Sequence, residues 1–240
     1  KISDKFFIDY AGTEVRSLII NGTKVESQDQ YQSLRNDRFL TLPQDKIKIG
    51  KNEAIIEFAN NYTHDGEGLH SFIDTDGKQY LYSQGEVYNM NKIFPCFDQP
   101  DLKASLKLTV AIPQDWVIVH NTVVDEDTTK NLSASSYLTA EEKETHKVIS
   151  FLNTPRLSSY LYAFCAGNYE EIKCKNPYGN IPTSVFCRAS LFEFMKDQAE
   201  EIFEISNESI RVYESYFGVP FPFQKNDHIF CPEFNYGAME

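Results

Sequence analysis

The residues able to do chemistry are 5 histidines, 5 cysteines and 35 acidic side chains, and their spacing limits what they can do. His64, His70, His120, His146 and His228 open no H-E-x-x-H or H-x-x-x-H pattern, so no metallohydrolase site is spelled out among them. His64, Asp65, Glu67 and His70 crowd together, but in a Gly-rich loop, where such a group reads as a solvated turn. Cys96, Cys165, Cys174, Cys187 and Cys231 are odd in number, widely spaced and without a C-x-x-C pair. They read as free, mostly buried thiols in a reducing, cytoplasmic compartment rather than a disulfide framework or a zinc knot. Four Asn-x-Ser/Thr sequons, at Asn21, Asn61, Asn131 and Asn207, keep a secretory or membrane-anchored parent open. No Walker loop, G-x-G-x-x-G or G-x-S-x-G is present. On its own, then, the chain assembles no complete catalytic set.

Three segments nevertheless look built for recognition. Ser83-Gln84-Gly85-Glu86 follows the aromatic run Tyr80–Tyr82. Phe94-Pro95-Cys96-Phe97-Asp98-Gln99-Pro100-Asp101 is an apolar and acidic corner. Pro232 to Glu240 ends in a small-residue strand, Gly237-Ala238-Met239, beside the carboxylate of Glu240. Each also has a plain structural meaning, since a Gly-Ala strand usually marks close backbone packing and a terminal Glu is usually solvated.

The elements that must position these residues are mostly strands. Asn21-Gly22 between Val15–Ile20 and Thr23–Val25 is a hairpin signal, because both residues tolerate the positive φ of a type I′ turn. Short runs at Lys46–Ile49, Glu53–Phe58, Trp116–Val119 and Lys147–Phe151 predict further strands. Lys103–Ile112 alternates cleanly, with Ala104, Leu106, Leu108, Val110 and Ile112 on one face. Tyr160–Ala166 is apolar on both faces and predicts a central strand. Turn-rich breaks at 64–68, 74–77 and 125–130 separate them. After a loop at 173–180 the texture changes. One strand, Thr183–Ala189, leads into a capping box at Ser190–Glu193 and a helical stripe of Leu191, Met195, Ala199, Ile202, Ile210, Tyr213 and Phe217. Gly218, Pro220 and Pro222 end that helix. A domain boundary is expected near residue 175, giving domains 1–175 and 176–240.

Composition narrows the function classes. The 23 basic and 35 acidic residues give a net charge of −12, which disfavours a nucleic-acid binder working through a basic footprint. No apolar stretch approaches the roughly 20 residues of a transmembrane helix. The chain opens at Lys1 and stops at Glu240 in mid-pattern, so a fragment of a longer protein is expected.

These segments together resemble the aminopeptidase N family of zinc metallopeptidases, whose relatives include puromycin-sensitive aminopeptidase and leukotriene hydrolase. Gly237-Ala238-Met239-Glu240 matches the first four letters of the family's G-A-M-E-N exopeptidase motif, after Pro232-Glu233-Phe234. Tyr213–Pro222 is similar to the run that precedes it. Ser83–Glu86 resembles the T-Q-x-E element, Phe94–Asp101 the F-P-C-F-D-E-P-D corner, and Gly66–His70 a family loop. The order is kept from about residue 15 to residue 240. Two departures stand out: Gln99 replaces a common Glu, and Asn91 sits where Arg is frequent.

The resemblance implies a mainly β architecture, with an N-terminal saddle-like β-sandwich followed by the first strand–helix–strand portion of a truncated thermolysin-like catalytic domain. It implies one zinc ion whose ligands lie beyond Glu240, and peptide substrates with a free N-terminus. The 240 residues alone are then expected to be inactive and to hold no catalytic or metal-binding residue. By the same likeness Glu240 is the amine-binding carboxylate, Glu86 a second one, and Gln84 a polar wall for the first side chain. Gly237 and Ala238 leave room for a substrate backbone, and Met239 offers an adaptable apolar surface. Two other activities share the scaffold. An epoxide-hydrolysing relative usually carries Gly at the position of Ala238, and a non-catalytic scaffold relative tends to lose the amine-binding motif.

Overall fold

The computed structural model describes residues 6–25, 38–131 and 138–237. Among these residues are fourteen strands and three α-helices, so the chain is mainly β. Two compact units divide it, and the hairpin at 68–84 passes from one into the other. The first unit holds residues up to Ser71, Ser83–Ala104 and Arg156–Tyr162; the second holds Phe72–Tyr82, Ser105–Pro155 and the chain from Ala163. No described helix is long and apolar enough to cross a membrane.

In the first unit, β1 (Phe6–Asp9) pairs antiparallel with β4 (Phe39–Leu42), while β2 (Glu14–Ile20) lies between β3 (Thr23–Lys24) and β5 (Ala54–Ala59). The β2–β3 turn has the predicted geometry, with φ of 50° at Asn21 and 78° at Gly22. Ile8, Tyr10, Leu18, Ile20, Leu40 and Leu42 form one buried cluster between the two small sheets. Lys46–Ile49 is not a strand: a 3-10 turn occupies Gln44–Lys46. The Asn21 and Asn52 side chains hold the Lys46 carbonyl and the Lys48 backbone, removing the groups a ladder would need.

In the second unit, β11 (Phe164–Gly167) lies between β7 (Gln79–Gln84) and β9 (Val117–His120), a central place as its apolar faces predict. The same sheet ends in β6 (Gly68–Ile73) beside β7. The strand itself is shorter than Tyr160–Ala166, because Ser159–Leu161 forms a 3-10 turn. The long strand expected at Lys103–Ile112 is also cut back, to β8 (Thr109–Pro113), which pairs with β10 (His146–Ser150). Its first half stays extended but pairs only intermittently: the Thr154 N–H donates to the Leu106 carbonyl and the Phe151 N–H to the Leu108 carbonyl. Pro155 on the facing segment has no N–H to give. The break at 125–130 proves to be a short helix, α1 (Glu126–Asn131), because the Asp125 carboxylate accepts the Thr128 N–H at 2.9 Å and caps it. A second short helix, α2 (Glu142–Thr145), precedes β10.

The remaining sheet runs β12 (Tyr169–Lys173), β13 (Thr183–Arg188), β14 (Asn226–Ile229). β12 is antiparallel to β13, and β14 is parallel to it, with α3 (Phe192–Phe217) as the crossover. Residue 175 lies in the β12–β13 connection, inside the second unit. One face of β13 packs Val185 and Cys187 against Met195, Ala199 and Phe203 of α3. The other brings Phe186 against Tyr80, Tyr82, Val119, Cys165 and Tyr169.

The capping box at Ser190 does not form. Asp74 has claimed the hydroxyl, which donates to its Oδ2 at 2.6 Å, and a 3-10 turn over Ala189–Leu191 leads into the helix instead. The helical stripe is buried only in part. Met195, Ala199, Phe203, Ser206 and Ile210 face inward, whereas Tyr213 and Phe217 are 61% and 65% exposed.

Candidate substrate-binding site

At the end of β7 the chain turns sharply through Gln84, Gly85 and Glu86. Gln84 is 1% exposed. Its Oε1 accepts the Glu86 backbone N–H at 2.9 Å, and the Asn89 side chain donates to the Glu86 carbonyl at 2.7 Å. The turn needs glycine at its centre, since a Cβ on Gly85 would lie 2.9 Å from the Tyr160 Cα and 2.7 Å from the Met90 methyl. Ser83, one residue earlier, donates to the Tyr162 carbonyl at 3.2 Å.

This packing leaves two chemical functions unspent. The Gln84 Nε2 is buried and has no hydrogen-bond partner among the described residues. The Glu86 carboxylate is half-buried, and no cation of the described residues pairs with it. A buried donor without a partner costs about 1–3 kcal/mol. Sequence reasoning missed Asn89 and Tyr160, which hold the turn from outside the motif; the only local signal for Asn89 is an amide side chain three residues after Glu86.

The acidic corner at Phe94–Asp101 is a structural joint. The Asp98 carboxylate, 2% exposed, accepts the Asn91 N–H at 2.9 Å, the Asn91 side chain at 2.8 Å and the Ser159 hydroxyl at 2.6 Å. Asp9 accepts the Asp98 N–H at 2.9 Å and the Tyr88 phenol at 2.5 Å. Burial and that bond to Asp9 push the Tyr88 phenol well above its ordinary range. Every oxygen of both carboxylates is occupied, so neither Asp9 nor Asp98 offers a free acid to a ligand. The His64–His70 loop is likewise spent internally: the His64 ring bonds the Ser71 carbonyl, His70 Nδ1 accepts the Gly66 N–H, and Glu67 pairs with Lys92.

In the second unit, the Tyr82 phenol donates to the Glu233 carbonyl at 3.0 Å and its ring packs on Phe234. These contacts steer the segment from Pro232 to Gly237. From Pro232 to Gly237 the described chain forms no regular strand, and Glu233 turns it with φ of 56°; the small-residue strand expected at Gly237–Met239 lies mostly outside the described residues. Gly237 is exposed, and a Cβ there would meet no atom within 4 Å. Ala238, Met239 and Glu240 lie outside the described residues. Gln84 and Glu86 belong to the first unit and Gly237 to the second.

Among the described residues no group of three or more His, Cys, Asp or Glu is arranged to hold a metal ion. A zinc ion therefore does not fit any donor set described here.

Comparison with known proteins points one way. Residues 3–161 match the Peptidase M1 N-terminal domain, more than half of the chain. An "Aminopeptidase N" of Streptomyces lividans is 33% identical over 237 residues, covering 98% of this chain and 25% of that protein. A "Leucyl aminopeptidase" of Saccharolobus solfataricus is 29% identical over 97% of the chain and 26% of its own length. An "Aminopeptidase N" of Acetobacter pasteurianus is 30% identical over 81% of the chain and 51% of that sequence. The chain thus spans about a quarter of the length of the first two relatives.

Proposed function

The chain belongs to the aminopeptidase N family of M1 peptidases, and from that premise we propose that the complete protein is a zinc-dependent aminopeptidase releasing N-terminal residues from peptides. The observation that carries this reading is the turn at Gln84–Glu86, with its unspent amide nitrogen and a carboxylate that no cation among the described residues pairs with. A free ammonium suits the Glu86 carboxylate, because a charge-assisted hydrogen bond in a poorly hydrated pocket strongly favours a cation, while the Gln84 Nε2, a donor only, suits an acceptor such as a peptide carbonyl. Glu86 supplies one carboxylate and Glu240, by its place in the exopeptidase motif, the other. Gln84 walls the pocket for the first side chain. Gly237 and Ala238 leave space for the peptide backbone, and Met239 lines the apolar side.

Residues 176–240 open the catalytic domain in this reading, and the zinc ligands come from chain outside these 240 residues. The 240-residue chain alone is then inactive and holds no stoichiometric zinc. Five unpaired thiols fit a reducing compartment, the cytoplasm.

The test uses the complete protein with free-amine and N-acetylated forms of one peptide. Removing one partner of a buried charge pair costs about 2–5 kcal/mol, which is roughly 30-fold to several thousand-fold. Glu240→Ala lowers kcat/KM heavily on the free-amine peptide, and Glu86→Ala more mildly, with zinc content unchanged. A complete protein without peptidase activity overturns the reading, as does a Glu240→Ala variant as active as its parent.

A further inference from the structure

Cys165, in the central strand β11, and Cys231, just beyond β14, are 66 positions apart in sequence, yet their sulfurs lie 3.9 Å apart. The Tyr169 phenol lies 4.0 Å from the Cys231 sulfur and donates to it. Cys165 is 7% exposed, and Cys231 is only partly buried. Both belong to the second unit, and Tyr169, Tyr80 and Phe186 wall the pair in.

We propose that Cys165 and Cys231 form a peroxide-sensitive dithiol site, in which Cys231 is oxidised first and Cys165 closes the disulfide. Disulfide sulfurs stand about 2.05 Å apart, so closure draws the two atoms together by about 1.9 Å. The partial exposure of Cys231 lets a small hydroperoxide reach it, while the core covers Cys165. The Tyr169 phenol donates to the Cys231 sulfur, and the Cys165 sulfur lies within reach of it as a further partner; both contacts favour a Cys231 thiolate. Consistent with that geometry, the Cys231 thiol titrates below its ordinary value, chiefly through the bond from Cys165, and the Cys165 thiol is held well above its own.

The step balances with hydrogen peroxide as the oxidant. The Cys231 thiolate attacks one peroxide oxygen, the O–O bond breaks, and Cys231 sulfenic acid forms as hydroxide leaves and takes up the thiol proton as water. The Cys165 sulfur then attacks the sulfenic sulfur. An S–S bond forms, the S–O bond breaks, and the oxygen departs as a second water with the Cys165 proton. Two thiols lose two electrons and one peroxide gains them. The new bond ties β11 to the start of the segment that runs to Gly237, a consequence independent of what that segment binds.

The complete protein is exposed to graded hydrogen peroxide, quenched with catalase, denatured, alkylated and mapped by peptide mass spectrometry. Cys165 and Cys231 should lose alkylation together, and a peptide linking them should appear and vanish on reduction. Cys96, Cys174 and Cys187 should remain alkylated at the same dose. In Cys165→Ser, Cys231 should be trapped as sulfenic acid by dimedone; in Cys231→Ser, Cys165 should stay reduced. Independent oxidation of the two thiols, linkage to any other cysteine, or full alkylation of both once other thiols oxidise would overturn the proposal.

Discussion

The Gln84 side chain spends its oxygen on the backbone N–H of Glu86, at 2.9 Å, and its buried nitrogen has no partner among the described residues. The two ends of the amide thus differ. One half of the amide shapes the turn at Glu86, and in our proposal the other half faces the substrate.

Replacing Gln84 by Met keeps the volume and removes both functions. The Glu86 N–H then loses its partner, at about 1–3 kcal/mol. The expected outcome is a lower Tm and a raised KM for free-amine peptides in the complete protein. Tight peptide binding that survives the substitution would show that the turn stands without the Oε1 acceptor.

Gly85→Ala tests the close approach itself. The added methyl would stand 2.9 Å from the Tyr160 Cα, which is backbone and cannot swing aside. Overpacking of this kind costs about 1–3 kcal/mol. Urea denaturation should show that loss, and kcat/KM should fall alongside it because Gln84 and Glu86 move with the turn.

Asp74 predicts a specific acid sensitivity. Its carboxyl is held below the ordinary range first by the Ser190 hydroxyl, then by the Thr75 N–H and the Arg188 guanidinium. A carboxyl with a depressed folded-state pKa stabilises the fold above its unfolded value of about 3.9, and that contribution disappears as pH falls through the folded value. Asp74→Asn should therefore melt lower than the parent at neutral pH, and the two melting curves should converge in acid. A gap that persists unchanged at pH about 2 contradicts the assignment.

Phe203 is the centre of the contact between α3 and β13. It is 3% exposed and clusters with Val185, Cys187, Met195 and Ala199. Phe203→Ala should cost about 3–5 kcal/mol through lost burial and the cavity left behind. Tyr213→Ala, on the exposed end of the same helix, should change the stability of the 240-residue chain far less.

Strand and helix identities were largely legible because they follow from neighbours in sequence. The Asn21-Gly22 turn, the apolar run that became the centre of a sheet and the long helix before Gly218 all appear where their local chemistry puts them. Where local signals failed, a distant group had intervened. Asp74 took the Ser190 hydroxyl from its capping box, Pro155 left Lys103–Leu108 without a continuous partner, and Asp125 capped a helix inside a segment rich in turn formers.

The candidate site divides in the same way. Residue types and motif order alone identified the family and singled out Gln84, Glu86 and the Gly237–Glu240 run, since those depend on which side chains are present and in what sequence. Tertiary structure decided which acids are spent. Asp9 and Asp98 look as available in the sequence as Glu86 does, yet folding surrounds their oxygens with donors, while no cation among the described residues pairs with the Glu86 carboxylate. It also decided that Cys165 and Cys231 meet. Hydrogen bonds and thiol contacts form between groups brought together by packing, and no pattern along the chain encodes a 3.9 Å approach across 66 residues.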